Sequence, residues 1–330
     1  MGTTGGGRRG AAAGARTQEP SAPARAPRDL QRTFQLVLAT VWLFDAVLQL
    51  QPFMFEPGPD GFSGMLAGTA AGNPAWIGRS IRWNATGVAH HVVLAASLFA
   101  LVQFAIAFGI AWTRTLRVAL AFSIAWSLGV WWFGEGLGGV ARGGATPFGG
   151  GPGAALLYAL LAVVLWPRPG TDRPFVAART LGIRAATAVW LAVWSLLAVL
   201  AQVGSGRSSR TLDGLVVGAD HHQPGWLAGI DRISASVLVH HGAVMAVLLA
   251  LVCVVAGVGV VLPVPWCRAT LVLTMAVFAV VWLAVQDVGG ILAGGATDPN
   301  TGPMVVLLAA AYWPLGPRRP GAGLEEPVVR

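Results

Sequence analysis

The sequence predicts an all-α membrane protein of about eight transmembrane helices. They are expected as two tandem four-helix repeats of parallel orientation, with Gly-rich re-entrant loops before helices 4 and 8. Three observations carry this. The first is composition: hydrophobic residues make up 55% of the chain and charged residues 11%, against about a quarter charged in soluble domains. The second is an internal echo. Pro74-Ala75-Trp76 through His90-His91 returns as Pro224-Gly225-Trp226 through His240-His241, with an offset of 240 − 90 = 150 and no gap. The third is a second echo: Gly143-Gly144-Ala145-Thr146 returns as Gly294-Gly295-Ala296-Thr297, offset by 294 − 143 = 151.

Residues 1–31 are Gly, Ala, Pro and Arg with little to bury, and read as a disordered basic cytoplasmic tail. No apolar core of a signal peptide follows the early arginines. The first repeat, 32–168, opens with an apolar run over 33–51, close to the roughly 20 residues a spanning helix needs. Asp45 sits inside it, and Gln49 and Gln51 mark its outer end. After a Gly- and Pro-rich loop, Pro74 to Trp83 reads as a short interfacial helix of tryptophans and arginines. The next spans are expected at 85–111, capped by Asn84 or Thr86, then at 116–133 and 152–167. A basic cytoplasmic linker, 169–184, leads to the second repeat, 185–316. Its spans are expected at 185–202, 235–262, 268–287 and 302–316, followed by a cytoplasmic tail, 317–330.

Eight spans put both termini on one side. All 22 basic residues are arginine; Arg79, Arg82, Arg142, Arg207, Arg210 and Arg232 fall in outer segments and the other 16 in inner ones. The positive-inside rule then places both ends in the cytoplasm of a bacterial cell membrane. The same placement argues against nucleic acid as the reason for the net charge of +8, and leaves the lipid bilayer and membrane partner subunits as expected partners. Cys253 and Cys267 read as small packing residues rather than a disulfide.

All six histidines come in adjacent pairs. Ionisable groups inside a membrane are costly and point to function. A neutral imidazole near a helix start suits a metal or haem iron. His90, His91, His240 and His241 are therefore candidate ligands for copper or haem, with Glu135 and Asp287 behind them. The competing reading has each ring fixing a loop to its helix. His221-His222 breaks the symmetry, and reads as a solvated loop or an extra ligand pair.

The Gly-rich loops are the sharper signal. Gly151-Pro152 is expected to match Gly302-Pro303, and the helix that follows is short. Matched, Gly/Pro-interrupted short segments in two halves mark substrate sites in transporters. Gly143, Gly144, Thr146, Gly294, Gly295 and Thr297 are thus candidate substrate-binding residues; the bland alternative is a tight-packing turn. Trp132-Phe133-Gly134-Glu135-Gly136 and Gly294 through Thr297-Asp298-Pro299-Asn300 resemble phrases of uncharacterised actinobacterial multi-span membrane proteins. That resemblance spans both copies and implies no known activity. The span count is also similar to that of copper-resistance membrane proteins, whose motif residues are not found here. Three functions stay open: a metal- or haem-binding membrane protein, a small-molecule or ion transporter with its site between the repeats, and a non-catalytic scaffold. No catalytic motif is present, and an enzyme is not the expected reading.

Overall fold

A computed structural model describes residues 1–2, 29–168, 173–203 and 223–315. Among these the chain is all α, with no strand. Most of the expected tails lies outside the described residues, as does His221-His222.

Twelve α-helices are described: α1 (Leu30–Leu48), α2 (Pro52–Phe55), α3 (Phe62–Thr69), α4 (Ala75–His90), α5 (Val92–Ala111), α6 (Leu116–Phe133), α7 (Ala154–Val164), α8 (Val176–Leu181), α9 (Ile183–Leu200), α10 (Gly225–Gly259), α11 (Val264–Ala284) and α12 (Thr301–Ala311). Five of them, α5, α6, α9, α10 and α11, are long and apolar enough to cross a membrane. Exposed Leu98, Phe108, Val118, Leu191, Leu251 and Val280 on these helices suggest a protein inserted in a membrane and touching lipid. Helix α1 is 19 residues long but carries Gln31, Arg32, Gln35 and Asp45. Helices α7 and α12 are apolar and have 11 residues each, roughly 17 Å of rise against a hydrocarbon core of about 30 Å.

Helix α1 packs on α5, α5 on α6 and α6 on α7; α9 packs on α10, α10 on α11 and α11 on α12. The short α7 and α12 meet each other in the middle. Without a strong hydrophobic drive between helices in lipid, close approach depends on small residues. Gly109 of α5 shows this: a Cβ there would lie 2.7 Å from the Ala119 Cβ of α6. At Gly259 of α10 the Cβ would lie 2.1 Å from the Thr270 hydroxyl of α11. The main apolar cluster runs through both sets of helices and includes Trp190, Trp194, Tyr312 and Phe278, with smaller clusters around Met54 and Phe62 and around Ile77 and Ile81. Inside it, Trp190 Nε1 donates to the Ala256 carbonyl (2.8 Å) and the Tyr312 hydroxyl to the Ala186 carbonyl (2.8 Å).

Three local expectations change. The segment after Pro74 is not a separate interfacial helix ending near Asn84. Helix α4 runs on to His90, and the Thr86 hydroxyl donates back to the Arg82 carbonyl (2.9 Å) within it instead of capping a new helix. The break falls at His91 (φ −137°, ψ 45°), and α10 breaks likewise at His241 (φ −129°, ψ 16°). Second, the basic linker is partly core: Val176, Ala177 and Ala178 of α8 are buried, and Phe175 stacks on Tyr312 at 5.2 Å between ring centroids. Third, Gly151-Pro152 lies in the loop before α7, whereas Gly302-Pro303 lies inside α12. The offset of 151 at the loops becomes 301 − 154 = 147 at the helix starts, so the first loop holds four more residues.

Candidate functional site

The site begins with how the Gly-rich loops are pinned. The indole of Trp131, near the end of α6, donates to the Pro152 carbonyl (2.7 Å), and that of Trp282 on α11 donates to the Pro299 carbonyl (2.7 Å). At Gly138 the backbone has φ +58°, and a Cβ would lie 1.8 Å from the Pro152 carbonyl oxygen, so only glycine lets the loop fold back onto itself. The second loop is held from α1. Gln49 Nε2 donates to the Thr297 carbonyl (3.1 Å) and Gln51 Nε2 to the Ala296 carbonyl (2.9 Å).

This scaffold presents Glu135. Its Oε1 accepts from the backbone N–H of Ala155 in the first turn of α7 (2.9 Å), where the helix dipole favours an acceptor. Its Oε2 is buried without a partner. Burial first, and then the nearby Asp298 carboxylate, push the Glu135 carboxyl up to about 8, against the pull of the Ala155 and Ala154 N–H groups. Asp298 is itself raised by burial, although the Asn300 N–H (2.7 Å) and the Thr297 hydroxyl (3.2 Å) bond to it.

Two cavities meet at these carboxylates. The inner one, ≈ 250 Å³, lies among α1, α3, α5, α6 and α7 and is closed at one end by Thr297 and Asp298. Its walls are largely aromatic: Trp42, Phe62, Phe99, Trp126 and Phe133. Five buried polar atoms without a hydrogen-bond partner belong to its lining residues: Asp45 Oδ1, Gln103 Oε1, Trp126 Nε1, Ser127 Oγ and Glu135 Oε2; the buried Tyr158 hydroxyl is turned to the Asp45 carboxyl. Asp45 is only 2% exposed. Each such atom costs about 1–3 kcal/mol if it stays unpaired, so their convergence on one space is a sign of a ligand site. The outer cavity, ≈ 300 Å³, lies between the two Gly-rich loops. Glu135, Thr297 and Asp298 line both and form the partition.

Of the sequence-predicted loop residues, Gly144, Thr146, Gly295 and Thr297 line the outer cavity; Gly143 and Gly294 do not. Glu135 is central. Asp287 is buried, with a left-handed backbone (φ 51°), and lines neither cavity. The histidines are placed elsewhere. His90, His91, His240 and His241 are exposed at the two helix breaks. Nδ1 of His90 lies 2.7 Å from the Thr86 carbonyl and Nδ1 of His240 lies 2.7 Å from the Ser236 carbonyl. A carbonyl only accepts, so both rings carry the proton on Nδ1 and leave Nε2 free. Among the described residues no group of three or more His, Cys, Asp or Glu is arranged to hold a metal. Cys253 and Cys267 are buried and free.

Sequence reasoning singled out Asp45 without a partner, and missed Gln103, Trp126, Ser127 and Tyr158. The usable signal was polarity inside otherwise apolar spans, since Gln103 and Ser127 are each buried in a helix apolar enough to cross a membrane. Comparison with protein-family models, with curated proteins and with solved structures gave no match, so the functional reading rests on this cavity and its carboxylates.

Proposed function

We propose that the chain is a membrane carrier for a small molecule or ion, with the inner cavity as its binding site and the two Gly-rich loops as the mouth. The observation that carries this is the set of five unpartnered polar atoms on residues lining one aromatic-walled space. Under this reading α1, α7 and α12 join the five long helices as spans. The two sets of helices are tandem four-helix copies related by an axis along the membrane normal, as in parallel-repeat transporters. Both termini are cytoplasmic. The same packing order in the two sets and the paired breaks at His91 and His241 support that view. The short α7 and α12, each preceded by a buried loop, are also the arrangement in which irregular backbone is tolerated at membrane depth.

A carrier must expose its site to each side in turn. Ser127→Cys, in a chain whose own cysteines are replaced by alanine, should react with a membrane-impermeant thiosulfonate reagent added from either face of sealed vesicles. Reaction from one face only would reduce the cavity to a fixed pocket and end the carrier reading.

A second reading keeps copper or haem at the histidine pairs, and one observation favours it: the free Nε2 atoms of His90 and His240, set by the same Nδ1 hydrogen bond. Because the four rings are exposed, such a site is completed by a partner subunit or a second copy. Purified protein with neither a Soret band nor stoichiometric copper would remove it.

A further inference from the structure

Resting on the carrier reading, we infer that the inner cavity selects a protonated arylalkylamine and exchanges it for a proton. Three features converge. The first is charge: Asp45, Glu135 and Asp298 line the cavity and no arginine does. An anion would find no cation in the lining to pair with, and a neutral guest would leave the carboxyl groups unmatched. The second is hydrogen-bonding sense. Among the unpartnered atoms, Asp45 Oδ1, Gln103 Oε1 and Glu135 Oε2 are carbonyl or carboxyl oxygens, while Trp126 Nε1 is the one obligate donor; the Ser127 hydroxyl serves either way, and that of Tyr158 is turned to Asp45. The guest must therefore bring N–H donors, which a primary ammonium has and a quaternary one lacks. The third is shape. The aromatic walls offer cation–π faces, and ≈ 250 Å³ suits a body of about one ring. A bare metal ion is a poor match to those walls, and the described residues hold no three-ligand cluster.

The exchange balances in charge and atoms. Glu135 is faced by Asp298 from the second loop, Asp45 from α1, Tyr158 and the Ala155 N–H from α7, and Arg142 across the outer cavity. One ammonium enters with charge +1. The O–H of Glu135 breaks, its proton leaves through the outer cavity that Glu135 also lines, and the carboxylate pairs with the ammonium. No other bond changes.

The test is calorimetry on the full chain in lipid discs at neutral pH, with phenethylammonium, 2-phenylethanol and phenylacetate as probes, in two buffers of different ionisation enthalpy. Phenethylammonium is expected to bind at least about tenfold tighter than 2-phenylethanol, with about one proton released per cation bound. Glu135→Gln should abolish the proton release, and Asp45→Asn should weaken the cation by about tenfold. Equal binding of the alcohol, tighter binding of phenylacetate, or no binding of phenethylammonium up to millimolar concentration overturns the inference. The three wild-type probes decide it even where a variant fails to fold. Two-sided labelling of Ser127→Cys without amine binding would sink this inference and leave the carrier reading; amine binding with one-sided labelling would do the reverse.

Discussion

The first and second sets of helices differ at positions that the sequence register pairs. Trp42 and Leu48 stand in register with Trp194 and Leu200 (194 − 42 = 152), which sets Asp45 opposite Leu197. The histidine register (240 − 90 = 150) sets Gln103 opposite Cys253. The indoles that pin the loops (282 − 131 = 151) set Ser127 opposite Phe278, Trp126 opposite Val277 and Glu135 opposite Gln286. Trp166 and Trp313 (313 − 166 = 147) set Tyr158 opposite Val305. Leu197, Cys253, Phe278 and Val305 are all buried, in the main apolar cluster.

Gln286 is fully engaged where Glu135 is half idle. Its Oε1 accepts from Gly302 N (3.2 Å), and its Nε2 donates to Thr301 Oγ1 (2.9 Å) and the Pro147 carbonyl (3.2 Å). At these paired positions one half carries close-packed apolar side chains and a fully bonded Gln286, although Trp194 Nε1 nearby has no partner; the other half carries polar groups around a hollow. Stability alone would favour the first solution twice. The hollow in the first half is what function would retain.

Mutations can break or sharpen that contrast. The largest effect is expected in the packed half. Phe278→Ala opens a cavity in a close-packed site and should destabilise by about 3–5 kcal/mol, while Ser127→Ala across the register should change stability by less than about 1 kcal/mol; thermal unfolding in detergent reads both. Next comes Gly153, with φ +116°, where a Cβ would lie 2.1 Å from Glu135 Oε2. Gly153→Ala should cost about 1–3 kcal/mol, and Gly295→Ala, with nothing within 4 Å of its Cβ, should be close to neutral by the same assay. Asp45→Leu copies the second half into the first and removes a buried orphan acceptor. It should raise stability by about 1–2 kcal/mol while abolishing ligand binding, the signature of a residue kept for function.

The smallest effect is on pH dependence. A carboxyl raised in the fold contributes stability that is complete below its unfolded value, near 4.5, and is lost as pH rises toward about 8. The native chain should therefore lose stability across that window, by no more than about 1.4 kcal/mol per pH unit from this group. Glu135→Gln should flatten the slope, and an unchanged slope would assign it to other groups.

Much of the architecture was legible in the sequence. Apolar runs gave α6, α9 and α11 within about four residues, because lipid leaves a spanning segment little choice but an unbroken apolar helix. They missed the starts of α5 (92 − 85 = 7) and α10 (235 − 225 = 10), where the helix breaks at the histidines are not written in hydropathy. The echo of 150 placed the two histidine breaks. That the two loops lie together was legible, since Gly144, Thr146, Gly295 and Thr297 line one cavity. Their register beyond Thr146 was not, because the extra residues of the first loop hide behind a repeated Gly-Pro spelling.

The placement of the histidine pairs was not legible: a pair is conspicuous in a string, but whether it faces a cavity or the outside depends on helix phase. The inner cavity was hidden for the opposite reason. Asp45, Gln103, Ser127 and Tyr158 come from four helices, and no spacing along the chain connects them.

The contrast between the halves is tested most directly by comparing Ser127→Cys with Phe278→Cys, each with the native cysteines replaced by alanine, in sealed membranes exposed to a soluble thiosulfonate reagent. The hollow first half predicts modification of Cys at 127 and none at 278. Equal reactivity of the two, or reaction at 278 alone, would contradict the account.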